Sequence, residues 1–237
     1  MLKKLIKLNL DDLALYLGVE GGLFLLIQIV IGCVMYFGRP TDSITVSCIL
    51  FPIVGGFCAL IAGISHVGVS FDQALRFGQT RRRALGLTLG LASFETVFAL
   101  ALAAVLTVVE RVLCVPLWAR LAGLRGWRLA MDIIPGGGRR PENILLVDTF
   151  SLDWYWWLLI FVLAVGGGMI AGAVIQRFGA KGGWFIWGIC FAPMLLEQIL
   201  PWEAYGLTHW LIPTLGLLFA AGSLWSVWSL LHASVRS

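Results

Sequence analysis

Residues 154–182 read WYWWLLIFVLAVGGGMIAGAVIQRFGAKG. Positions 154–175 carry no charge, and at 1.5 Å per residue such a helix crosses a hydrocarbon core about 30 Å thick. Trp154, Tyr155, Trp156 and Trp157 stand at one end and Arg177 and Lys181 just past the other. Aromatic rings anchor at the headgroup level, and basic residues mark the inner side of a membrane. The stretch predicts a transmembrane helix entering from outside and ending in a tight basic turn.

The whole chain repeats this character. Of 237 residues, 59% are hydrophobic and 13% charged, against about 25% charged in soluble domains. The expected fold is an all-α integral membrane protein of about six transmembrane helices, forming a single membrane domain. The spans are expected near 21–37, 44–64, 84–108, 154–175, 184–200 and 207–230, with a long outer loop at 110–153. Residues 1–17 place Lys3, Lys4 and Lys7 among Leu2, Leu5, Ile6 and Leu13, which suits an amphipathic helix lying on the inner surface. Asn9, Asp11 and Asp12 interrupt any signal-peptide core. Within the outer loop, 112–131 is apolar yet carries Arg120, Arg125 and Arg128, which predicts an interfacial helix.

Charge counting sets the orientation. The inner segments hold ten Lys and Arg against Asp11, Asp12, Glu20 and Asp72; the outer ones hold seven against seven acids, Glu110 among them. The short loops agree on cytoplasmic N- and C-termini and a multi-pass cell-membrane protein.

Between the second and third spans lies the most informative polar stretch. Ser70 and Gln73 have capping-box spacing, Phe71, Ala74 and Leu75 share one helical face, and Gly78 can close a short helix. Arg81, Arg82 and Arg83 follow. Such a run serves as a topogenic signal, an anchor to anionic lipid or a protein-docking surface.

The segment from Phe71 to Arg83 resembles the cytoplasmic loop of small bacterial ABC transporter permeases of the type-2 exporter class. In these, an aromatic, a Leu, a Gly, a Ser or Thr and a basic pair recur in that order; here they are Phe71, Leu75, Gly78, Thr80, Arg81 and Arg82. The turn Arg177-Phe178-Gly179 with Lys181-Gly182 matches a second recurring element. The resemblance implies a non-catalytic permease subunit in a dimer of permeases. It also implies a separate ATP-binding cassette subunit, with Phe71, Leu75, Gly78, Arg81 and Arg82 coupling to that ATPase. The unusually basic outer loop departs from the pattern, and no substrate-contact signature is present.

The residues themselves bear on this. There is no Gly-x-x-x-x-Gly-Lys-[Ser/Thr] segment to hold nucleotide phosphates, so ATP would enter only through a partner chain. No catalytic, cofactor-binding or metal motif stands out, His66, His209 and His232 are dispersed, and no basic and aromatic stripe suits nucleic acid. The five Cys read as packing residues. Two intramembrane polar candidates remain. Glu95 lies mid-span, suited to a substrate or proton path or to a hydrogen bond with Ser or Thr of a neighbouring helix, and Glu197 lies near the end of the fifth span. Gly86 with Gly90 and Gly168 with Gly172 have the spacing of close helix crossings. Two other classes stay open: a stand-alone accessory or immunity-type membrane protein, and a membrane-embedded enzyme built on Glu95 with His66.

Overall fold

The structure, a computed structural model, describes residues 10–130, 143–150, 152–199 and 208–232, without the side chains of Leu10, 190–199 and 208–212. The interfacial helix expected at 1–17 falls largely outside these residues, as does the side chain of Glu197.

The chain is mainly helical. In order it forms α1 (Leu10–Gly38), β1 (Asp42–Thr45), α2 (Ser47–Ser65), a π-helical turn (His66–Ser70) and α3 (Phe71–Arg76). There follow α4 (Arg81–Val109), a second π-helical turn (Glu110–Cys114), α5 (Val115–Leu121), β2 (Gly126–Leu129) and β3 (Ile144–Thr149). Helices α6 (Trp154–Phe178), α7 (Ala180–Ile199) and α8 (Thr208–Leu231) complete it. Among the described residues, five helices are long and apolar enough to cross a membrane: Asp11–Gly38, Ser47–Arg76, Arg81–Leu121, Trp154–Phe178 and Pro213–Leu231. This defines a multi-pass helical membrane protein. The span expected at 184–200 coincides with α7.

Three expectations are corrected. Residues 10–17 belong to the first long helix, with no break before residue 21. Helix does not stop at Val108: a π-helical turn carries α4 into α5, and Pro116, which has no N–H to donate, follows directly after that turn. The interfacial helix expected over 112–131 is thus the end of a 41-residue helix followed by a strand. That helix is about 60 Å long, twice the hydrocarbon thickness. Finally, an all-α fold is too simple, since a three-stranded parallel sheet stands in the expected outer loops, in the order β1-β3-β2. Asp42 pairs with Leu146 and Gly126 with Ile144.

Two packing units are described in turn. The first comprises Met1–Gly56 and Val97–Ile160. Leu145 and Val147 on the central strand are buried with Met35, Val115, Trp118, Ala119 and Ala122. The spacing 115, 118, 119, 122 is one apolar helical stripe, and Arg111 and Arg120 on the same helix are exposed. A second cluster joins Phe24, Phe51, Ala103 and Leu106.

The second unit comprises Phe57–Thr96 and Phe161–Ser237. A Cβ at Gly168 would stand 3.0 Å from the Leu60 carbonyl and 3.2 Å from Gly63 Cα, so α2 and α6 meet backbone to backbone. At Gly172 a Cβ would come 2.5 Å from Val67 Cβ. The pair Gly168 and Gly172 is therefore a crossing within the fold, whereas Gly86 and Gly90 have open space around them.

Candidate functional site

The loop read as a coupling element begins without a helix start. Ser70 has helical backbone angles and makes no side-chain cap, so the expected capping box is absent; Ser47–Arg76 runs through as one helix. The end is as expected. Gly78 has φ +77°, its N–H donates to the Leu75 carbonyl, and the Gln79 N–H donates to that of Ala74, both at 3.0 Å. This is a Schellman closure, and the positive φ is the reason glycine stands there.

The five proposed coupling residues divide into two groups. Phe71 is fully buried among Val67, Ala84, Leu85, Met169, Ala173 and Leu230, with Leu75 packed against that cluster. These two anchor the helix end to its own chain. Gly78, Arg81 and Arg82 are exposed, with Arg83 beside them. Arg81 Nη1 donates to the Leu231 carbonyl at 3.2 Å, so its guanidinium completes the C-terminus of α8, where a cation is favoured. The outward group that the motif reading missed is Phe77, 85% exposed. Its signal was its place at the end of the helix, two residues past the stripe of Phe71, Ala74 and Leu75.

One turn earlier, the π-helical turn carries polar chemistry. His66 Nε2 lies 2.8 Å from Glu95 Oε1, and His66 Nδ1 lies 3.3 Å from Ser70 Oγ. Glu95 is fully buried and His66 nearly so. With Glu95 ionised, Nε2–H donates to the carboxylate and Nδ1 accepts the Ser70 hydroxyl proton, completing a hydroxyl, imidazole and carboxylate chain. His66 is thus a partner of Glu95, the pairing named for the enzyme reading. Nearby Thr88 and Thr96 spend their hydroxyls on the carbonyls of Ala84 and Ala92. π-helical turns widen the helix and recur at functional positions.

Two further buried carboxylates, counted as loop charges in the sequence, sit in the first unit. Glu110 accepts from Gln28 Nε2 at 3.0 Å and from the Ser47 backbone N–H at 3.1 Å. It thereby ties α1 and the N-terminus of α2 to its own helix. Glu20 is fully buried, and its two oxygens meet no hydrogen-bond partner among the described residues. A Cβ at Gly55 would stand 2.7 Å from its Oε1, so the glycine makes room for the carboxyl. Glu20 escaped notice because it falls between the expected interfacial helix at 1–17 and the expected span at 21–37, where it was counted only as an inner-side charge.

No family model, curated protein or solved structure matches this chain.

Proposed function

We propose that this chain is the membrane-spanning permease subunit of an ABC-type exporter, six-spanning with both termini in the cytoplasm, working as a dimer with a separate ATP-binding subunit. The observation that carries the reading is the end of the second span. There Phe71 is locked into the chain's own core while Phe77, Arg82 and Arg83 are presented outward around the Gly78 turn. An exposed aromatic beside exposed guanidinium groups is the composition of an interface hot spot. Because Ser47–Arg76 is continuous helix, a push on Phe77 is delivered along the second span. The hydrogen bond from His66 to Glu95 passes it to the third. Tagged protein purified in mild detergent should retain a stoichiometric ATP-hydrolysing subunit, and an ATPase-free preparation under gentle crosslinking would leave the accessory-protein reading in its place.

The hydroxyl, imidazole and carboxylate chain of Ser70, His66 and Glu95 favours one second reading, a membrane-embedded enzyme with a serine nucleophile. A nucleophile within reach of a base oriented by a third group is the arrangement such chemistry uses. A fluorophosphonate probe should then label Ser70, and labelling should vanish in His66→Ala. An unlabelled wild-type protein leaves these residues as a link between helices.

A further inference from the structure

A cavity of about 640 Å³ opens among the ends of α3, α6 and α8, all within the second unit. Its size falls in the range of small-molecule sites, about 300–1,000 Å³. The three helices end there as candidate spans, at Arg76, Phe178 and Leu231, so the cavity opens at headgroup depth. Among the described residues its wall contains one guanidinium, Arg177, and one carboxylate, Asp72, with Gln176, Ser229, Trp228 and His232.

The polar groups are held in place. The Arg177 guanidinium carbon lies 5.8 Å from the centroids of both Phe178 and Trp225, contacts that fix its planar fork. His232 stacks on Trp228 at 4.9 Å and donates Nδ1–H to the Trp228 carbonyl at 2.8 Å, which leaves Nε2 for another partner. Asp72 lies 3.5 Å from Arg76, a surface pair open to exchange. Phosphate and carboxylate both match the arginine fork, and at headgroup depth phosphate is the group the bilayer supplies. A purely anionic ligand would also meet the Asp72 carboxylate, whereas a zwitterion places its cation there.

We infer that this cavity binds a phosphoethanolamine group, its phosphate on Arg177 and its primary ammonium on Asp72. A primary ammonium supplies the N–H donors that a carboxylate accepts, which a quaternary choline lacks. The same chemistry comes from an aminophospholipid headgroup or from a soluble phosphodiester.

The test is native mass spectrometry of the full chain released from mixed vesicles of phosphatidylethanolamine, phosphatidylglycerol and phosphatidylcholine. Phosphatidylethanolamine should be retained about tenfold over phosphatidylcholine, in keeping with one charged hydrogen bond. Asp72→Asn should abolish that preference and Asp72→Glu keep it, while Arg177→Gln should lower retention of all three lipids. Glycerophosphoethanolamine competing with the lipid would place all recognition in the head, and failure to compete would assign the site to the diacyl lipid. Equal retention of ethanolamine and choline lipids by the wild-type protein would overturn the inference. So would a preference that survives Asp72→Asn in protein whose thermal midpoint is unchanged.

Discussion

His66 and Glu95, 29 residues apart in sequence, are joined by a hydrogen bond of 2.8 Å between Nε2 and Oε1, with the carboxylate wholly excluded from solvent. Each residue alone would be costly inside an apolar bundle. Together, with the Ser70 hydroxyl on the second ring nitrogen, every polar atom of the imidazole has a use.

Removing one partner is therefore worse than neutralising both. His66→Leu removes the histidine partner of a buried carboxylate and should cost about 3–5 kcal/mol. Glu95→Gln keeps a hydrogen-bonding side chain and should cost about 1 kcal/mol, near the usual value for a hydrogen bond between spans. Thermal unfolding of both variants and of the double mutant His66→Leu with Glu95→Leu checks this; a double mutant less stable than His66→Leu would refute the pairing argument.

The glycine pairs should behave oppositely. Gly168→Ala pushes a methyl against the Leu60 carbonyl and Gly63 Cα, and overpacking of this kind costs about 1–3 kcal/mol. Gly86→Ala and Gly90→Ala meet nothing and should be neutral or slightly stabilising through helix propensity. Detergent-melting midpoints measured side by side give the answer.

The arginine run should separate into two phenotypes. Arg82→Gln with Arg83→Gln is expected to weaken retention of an ATP-hydrolysing partner at unchanged thermal midpoint. Arg81→Gln removes the bond to the Leu231 carbonyl and should lower the midpoint, the lost bond at this exposed position being worth at most about 1 kcal/mol. Identical effects from the two variants would mean that neither has a specific surface role.

Glu20 offers a sharper contrast. Its buried oxygens have no partner among the described residues, so Glu20→Gln should leave stability equal or raised. A loss of function without loss of fold would then identify Glu20 as a working group, and a fall in the melting midpoint would show that the carboxyl is structural.

Trp118, 1% exposed and packed with Met35, Leu145 and Val147, holds the helix end to the sheet. Trp118→Ala should cost about 3–5 kcal/mol. Limited proteolysis near residues 123–126 should accelerate in the same variant.

Much of the helical scaffold was legible because apolar length in lipid is a strong signal: the uncharged run from Trp154 and the glycine closure at Gly78 appear where the sequence puts them. The stripe at 115, 118, 119 and 122 was equally present, but Arg111, Arg120, Arg125 and Arg128 drew attention to charge instead of periodicity. The sheet had no local signature, since β1 spans only Asp42–Thr45 and finds its partner more than a hundred positions later. Of the candidate site, Glu95 was readable from its depth in a span and His66 was named beside it only as one candidate pairing, since a spacing of 29 residues between two helices meets or misses according to how they pack. The burial of Glu20 and Glu110 likewise follows from tertiary contacts that no local pattern records.

The register of the sheet also constrains how the chain is made. Thr45 pairs with Thr149, and among the described residues β2 pairs with β3 alone, so the central strand is the last of the three to leave the ribosome. At about 5–20 residues per second, β1 waits roughly 5–20 s for its mate. During that interval at least two apolar helices are already synthesised and must be taken up by the insertion machinery without the cap that will later cover Met35 and Trp118. Slowing translation ahead of residue 144 would lengthen the time for which these surfaces wait uncovered.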